Sequence, residues 1–195
     1  MKARGGFSLL ELLCTIAILT ILTVLITTHG GASAQKKARV ACEANLEKVS
    51  LALSLFQSDH HGSWPFLSGA TNSEIVLSLL VPQCTTETAI FICPGSKDPA
   101  LPEGQAFAGG IISYAYYMGR PTNDDPGAVI VTDRQVNAGP KTPGQPLFSG
   151  TGRPPGNNHG KTGGNLLLDN GAVQFSGPIA ARDFPLNGQL RLLNP

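Results

Sequence analysis

From Phe7 to Ile26 the chain carries a run of apolar residues in which the only ionisable groups are the carboxylate of Glu11 and the thiol of Cys14. About 20 residues of α-helix rise roughly 30 Å, the thickness of a bilayer core. The run therefore predicts a membrane-length helix, and this limits every fold the rest of the chain can adopt. A carboxylate inside such a helix costs on the order of 2.5–3.5 kcal/mol on insertion scales, so Glu11 needs a partner or a purpose. No basic side chain lies between Phe7 and Ile26. A cut after Gly6 would create an α-amino group on Phe7, one helical turn from Glu11, whose positive charge can pair with the carboxylate of the same or a neighbouring chain. Lys2 and Arg4 precede the run, which places the leader in the cytoplasm and the bulk of the chain outside.

Two plainer readings compete. One is a simple single-pass anchor with Glu11 near the headgroups, which leaves the order Gly6-Phe7-Ser8-Leu9-Leu10-Glu11 without a reason. The other is a secretory signal cut at Ala32-Ser33-Ala34, releasing a chain that starts at Gln35. Against it, the apolar run exceeds the usual h-region of about 7–15 residues and contains an acid.

At these residues the chain resembles a type IV prepilin or a type II secretion pseudopilin. In that family a short basic leader ends in Gly, the cut precedes a Phe, and a Glu is the fifth residue of the mature chain; here these are Gly6, Phe7 and Glu11. The resemblance implies that a membrane-embedded prepilin peptidase cuts between Gly6 and Phe7 and methylates the Phe7 nitrogen. It further implies inner-membrane storage by one span, with the globular part in the periplasm and an inner-membrane assembly platform as partner. Subunits would then pack by their N-terminal helices into a filament, with Glu11 helping to set the register. Implied segments are a leader at 1–6, a transmembrane and filament-core helix at 7–29, an amphipathic helix at 30–62 and a globular domain at 63–195.

The second half of the helix shows its own pattern. Ala38, Cys42, Leu46, Val49, Leu53 and Phe56 share one face, while Lys37, Glu43, Glu47 and Lys48 occupy others, so half of the helix is predicted to pack on a domain. Gly30 and Gly31 each weaken a helix by about 1 kcal/mol relative to Ala and predict a bend or melted turn. His60-His61-Gly62-Ser63-Trp64-Pro65 predicts the helix end, with the two histidines capping carbonyls. Beyond it, Ala89–Ile92, Ile112–Tyr117 and Ala128–Thr132 are strand candidates, and Asp169-Asn170-Gly171 between apolar runs predicts a hairpin with positive φ at both turn positions. The fold class is α+β, a long helix packed on a small, mainly antiparallel sheet. Gln135–Thr162, dense in Gly and Pro, is expected as a long surface loop or partly disordered, suited to outward display.

A looser resemblance extends over most of the chain, to pseudopilin-like proteins numerous in planctomycete and verrucomicrobial bacteria. It rests on Cys42, Asn45-Leu46, Gly62-Ser63-Trp64-Pro65, Cys93-Pro94, Asn158-His159-Gly160 and the strand-turn-strand from Gly163 to Phe175. Asn170-Gly171-Ala172 departs from that branch, which commonly reads Gly-His after the Asp.

Site chemistry is sparse. The formal net charge is +1 with dispersed basic residues, which gives no nucleic-acid surface. No Gly-x-Ser-x-Gly, His-Glu-x-x-His or P-loop is present, so no catalytic residue and no cofactor is expected, and the chain reads as an assembly protein rather than an enzyme. A disulfide between Cys84 and Cys93 is the favoured pairing in an oxidising compartment, with Cys42 a rival partner for either. Zinc is disfavoured because no Cys-x-x-Cys or helically spaced His pair accompanies the thiols, and Asp124, Asp125 and Asp133 match no calcium loop, so no metal is expected. His159 reads as a structural hydrogen-bonding residue. From a different class, Trp64, Tyr114, Tyr116 and Tyr117 suggest a membrane-anchored or secreted carbohydrate-binding domain, although the tyrosines fit strand packing better.

Overall fold

The structure is a computed structural model that describes residues 8–107, 109–121 and 125–195, with side chains throughout these except at 26–33. Helix α1 runs Leu9–Asp59 and α2 Ser73–Leu77; strands follow as β1 Tyr114–Met118, β2 Val129–Asp133, β3 Gly164–Leu168, β4 Val173–Ser176 and β5 Arg191–Leu193. By chain contacts the protein divides into two units, Met1–Lys37 and Ala38–Pro195.

In the first unit, every side chain from Ser8 to Leu25 is exposed, including Leu9 at 78%. A helix apolar all round is a helix that needs a non-aqueous surrounding or other helices against it. Among the described residues no helix is long and apolar enough to cross a membrane; the described side chains of the apolar run end at Leu25, short of its end at Ile26. Helical backbone continues through Gly30 and Gly31, so the melted turn expected there does not form.

The second unit is the α+β arrangement expected. Its five strands form an antiparallel sheet in the order β4-β3-β2-β1-β5. All five residues in each of β1, β2 and β3 are buried. Since alternate side chains point to opposite faces, complete burial means that both faces are covered. Tyr114, Tyr116 and Met118 join Leu46, Val49, Leu53 and Phe56 of α1 in one core. Ala115 and Tyr117 join Leu147, Phe148, Phe184 and Leu192 in a second. The predicted apolar face of α1 is thus the face that packs, with Cys42, Leu46 and Val49 fully buried and Ala38 partly so.

The second core corrects the expectation for Gln135–Thr162. The segment is irregular, but it lies against the sheet rather than displaying outward: Gln135, Lys141, Leu147, Phe148, Asn158 and His159 are buried, and Pro146 bridges to Ile179. Backbone bonds such as Lys141 N to Phe184 O and Leu147 N to Pro178 O hold it, and side chains add to them, as where Ser149 Oγ donates to Arg153 O and Lys141 Nζ donates to Gly139 O. Ala89–Ile92 is likewise not a strand, because Thr88–Phe91 forms a 3-10 turn that buries Ile90 and Phe91. The β3–β4 hairpin forms where expected, but only Gly171 takes positive φ (+81°). Gly171 N donates to Leu168 O and Leu168 N to Ala172 O, the pattern of a three-residue loop with a glycine bulge instead of a two-residue turn.

Helix α1 ends as predicted. His60 Nδ1 donates to Phe56 O at 2.8 Å while its ring stacks on Phe56, and Gly62 N donates back to Gln57 O with His61 in the left-handed region.

Candidate functional sites

At the start of α1, Ser8 and Glu11 form a reciprocal cap. Ser8 N donates to Glu11 Oε2 at 2.9 Å, and Leu10 N is 3.4 Å from Ser8 Oγ. This satisfies N–H groups that the first helical turn leaves without intrahelical partners. It gives Glu11 a local role in a single chain, beside the role in packing that the resemblance implies. Gly6 and Phe7, the expected cleavage and methylation residues, lie outside the described residues.

Aromatic residues proposed as a sugar platform do not form one. Tyr114, Tyr116 and Tyr117 are at most 2% exposed, and Tyr116 donates its hydroxyl to Pro65 O. Trp64 is 9% exposed and borders an open groove with Phe66 and Arg120.

The expected Cys84–Cys93 disulfide is not present: all four cysteines carry free thiols. Cys84 is half-buried beside the 3-10 turn Ser78–Leu80, whereas Cys93 turns into the core toward a different set of residues. There, Cys42, Cys93, Asp133 and His159 bring one ligand atom each within 4.8 Å of one another. None of the four is more than 3% exposed. Each comes from a different part of the fold. Cys42 lies on the buried face of α1, and Cys93 follows the 3-10 turn Thr88–Phe91. Asp133 ends β2 opposite Tyr114 on the α1 side of the sheet, and His159 comes from the irregular layer before β3.

Contacts within the cluster are close. His159 Nε2 is 3.1 Å from Asp133 Oδ2 and 3.5 Å from Cys93 Sγ, and the Cys42 thiol lies 3.4 Å from Asp133 Oδ1. A ring of neighbours fixes these groups. Asn158 Nδ2 donates to Asp133 Oδ1 at 2.7 Å, Asn165 N donates to Asp133 Oδ2 at 2.6 Å, and Gly95 N donates to Cys93 Sγ at 3.3 Å. Tyr114 Oη is 3.2 Å from Cys42 Sγ. His159 Nδ1 has no hydrogen-bond partner, so the ring's orientation is set from its Nε2 side.

Burial, followed by the bond to Cys93 and the charge of Asp133, pushes the Cys42 thiol far up. For His159, burial pulls the imidazole down, but the bonds to and charges of Asp133 and Cys42 together outweigh it and hold the pKa up at about 10. Both shifts favour a neutral Cys42 thiol beside a protonated His159.

A cysteine, a histidine and an aspartate together suggest nucleophilic catalysis, but here Cys93 and Cys42 are fully buried. The cluster's members had each been read separately in the sequence, but Cys42 and Asp133 stand 91 positions apart and Cys93 and His159 stand 66 apart, so no local spacing unites them. The calcium reading gains nothing: Asp133 faces this cluster, Asp125 Oδ1 caps Gly127 N in an exposed turn, and Asp124 lies outside the described residues.

No curated protein and no solved structure matches the chain. Residues 1–27 match the prokaryotic N-terminal methylation motif, which implies processing by a prepilin peptidase and assembly with other pilin-type subunits. With the helix-on-sheet domain that follows, the motif supports a type IV pilin-like or pseudopilin subunit.

Proposed function

We propose that this chain is a pseudopilin-like structural subunit of a periplasmic filament in a type II secretion system. The observation that carries the proposal is the methylation motif at residues 1–27, whose apolar helical run has every described side chain, from Ser8 to Leu25, exposed. Before assembly, that helix holds the subunit in the inner membrane by a single span, with Ala38–Pro195 in the periplasm. After cleavage at Gly6-Phe7 and methylation of Phe7, the helices of neighbouring subunits bury one another, and Glu11 pairs with the new N-terminus of a neighbour. The chain does no chemistry; cleavage and energy come from a prepilin peptidase and from the inner-membrane assembly platform with its ATPase. Its resemblance to the planctomycete and verrucomicrobial branch belongs to the same proposal. A secretion role is favoured over a surface pilus by the low-charge, Gly-rich domain without a long C-terminal disulfide loop.

Intact mass and N-terminal sequencing of the protein from native membranes test the first step. N-methyl-Phe7 as the first residue supports the proposal; a start at Gln35, or an unprocessed Met1 beside an active peptidase, refutes it. Glu11→Ala tests the second: the variant should stay membrane-bound and fail to enter filaments, and normal assembly would remove Glu11 from the mechanism.

A further inference from the structure

We propose that Cys42, Cys93, Asp133 and His159 form a structural zinc site that pins α1 and the irregular layer to the sheet.

Geometry is the first argument. With Zn–S near 2.3 Å and Zn–N and Zn–O near 2.0–2.2 Å, the edges of a tetrahedral site measure roughly 3.3–3.8 Å. The 3.5 Å separation of Cys93 Sγ and His159 Nε2 falls within that range, and the 3.1 Å separation of His159 Nε2 and Asp133 Oδ2 is just under it, while Cys42 Sγ lies 3.4 Å from the other carboxylate oxygen, Oδ1. No pair of ligand atoms exceeds 4.8 Å, so closing on an ion takes side-chain adjustments rather than movement of an element.

The donor set is the second. Two thiols, an imidazole and a carboxylate suit a borderline-soft divalent ion in tetrahedral geometry, and four protein ligands without an open position mark a structural rather than a catalytic site. Magnesium and calcium ask for all-oxygen shells that these residues do not offer.

Valence is the third. His159 Nε2 has a single proton or a single lone pair, yet Asp133 Oδ2, Cys93 Sγ and Asn165 Nδ2 all lie within 3.5 Å of it. One proton cannot join so many partners, while a cation bound by Nε2, Asp133 and Cys93 joins most of them. Supporting bonds are already in place: Asn158 and Asn165 N–H groups hold the carboxylate, Gly95 N–H points at the Cys93 sulfur, and Tyr114 stands beside Cys42. Such outer partners orient ligands in metal sites. Metal ligation also keeps two close thiols from pairing with each other in an oxidising compartment.

The test is elemental analysis of full-length protein purified from membranes without added metal, followed by Co(II) loading of chelator-stripped protein. The expected result is about one zinc per chain and the visible bands of tetrahedral thiolate-bound Co(II). Cys42→Ser and Cys93→Ser should each weaken binding by more than about 100-fold, and Asn158→Ala, which removes only a supporting bond, by about 10–100-fold. Because the serine variants risk misfolding, alkylation of the wild-type protein before and after chelation gives an independent readout: Cys42 and Cys93 should become reactive only once zinc is removed, while half-buried Cys84 reacts in both. A Cys42–Cys93 disulfide in the purified protein, an octahedral Co(II) spectrum, or reduced protein that takes up no zinc would each overturn the proposal.

Discussion

Gly95 sets the tightest test of how the loop after Cys93 seats on Asn158 and His159 of the irregular layer. A Cβ placed there would lie 2.9 Å from His159 Nδ1 and closer still to the carbonyl oxygen of Asn158. Ordinary contacts run near 3.5 Å, so Gly95→Ala must push the ring or the backbone away by about 0.6 Å or more. The neighbour is backbone and a fully packed ring, so little of this can be absorbed. Overpacking of this kind costs about 1–3 kcal/mol, while Gly→Ala returns about 0.4–1 kcal/mol by restricting the unfolded chain. The clash wins, for a net loss of about 1–2 kcal/mol, which in a domain of this size lowers Tm by about 2–8 °C. Trp64, the only tryptophan, is buried in the same unit and reports unfolding of the full-length protein by fluorescence. Gly188→Ala is the control, since a Cβ there meets nothing within 4 Å and the backbone is not left-handed. If Gly95→Ala melts at or above wild type, as Gly188→Ala should, the close seating of this loop on His159 is wrong.

Leu46→Ala empties a fully buried position between α1 and the sheet and should cost about 2–5 kcal/mol in denaturant unfolding followed by Trp64. Gly163→Ala should be at least as damaging, because φ is +123° and the new Cβ strikes the carbonyl oxygen of Ser176; circular dichroism should show loss of the β3–β4 pairing. Lys48→Ala should change Tm by no more than about 1 °C, since the Lys48–Glu87 pair is half exposed on both sides. Burial raises the carboxyl of Glu74, whose Oε2 lacks a hydrogen-bond partner. The folded state thus resists its ionisation, a cost fully present above the folded pKa and absent below the unfolded one. Glu74→Gln should therefore raise Tm at pH 7, with the gain fading as pH falls through the carboxylate range. An equal gain at all pH values would place the effect elsewhere.

Helix α1 was legible because its signals are local: a 3.6-residue period places Cys42, Leu46, Val49, Leu53 and Phe56 on one face, and His60 to Gly62 stop it. Strands β1 and β2 were legible from short β-branched and aromatic runs. Ala89–Ile92 misled because an apolar run of four carries no period, and a 3-10 turn buries Ile90 and Phe91 as well as a strand would. The layer from Gln135 to Thr162 hid for another reason. Its anchors, Leu147, Phe148, Asn158 and His159, are spaced by no repeat, and its backbone bonds join it to Pro178, Ala180 and Phe184, far along the chain. The sequence suggests pairing Cys84 with Cys93 because proximity along the chain is its only guide, whereas Cys93 meets His159, 66 positions away.

Strand order also bears on how this domain reaches its native state. β1 sits between β2 and β5, so Tyr116 faces Val131 on one side and Leu193 on the other. Its outer edge stays unpaired until a segment more distant along the chain than any other strand arrives. Closing such distant pairs before they are rewarded makes folding slow. Until β5 arrives, the apolar strand Tyr114–Met118 keeps an open edge, the kind of surface that a holding partner would cover during folding.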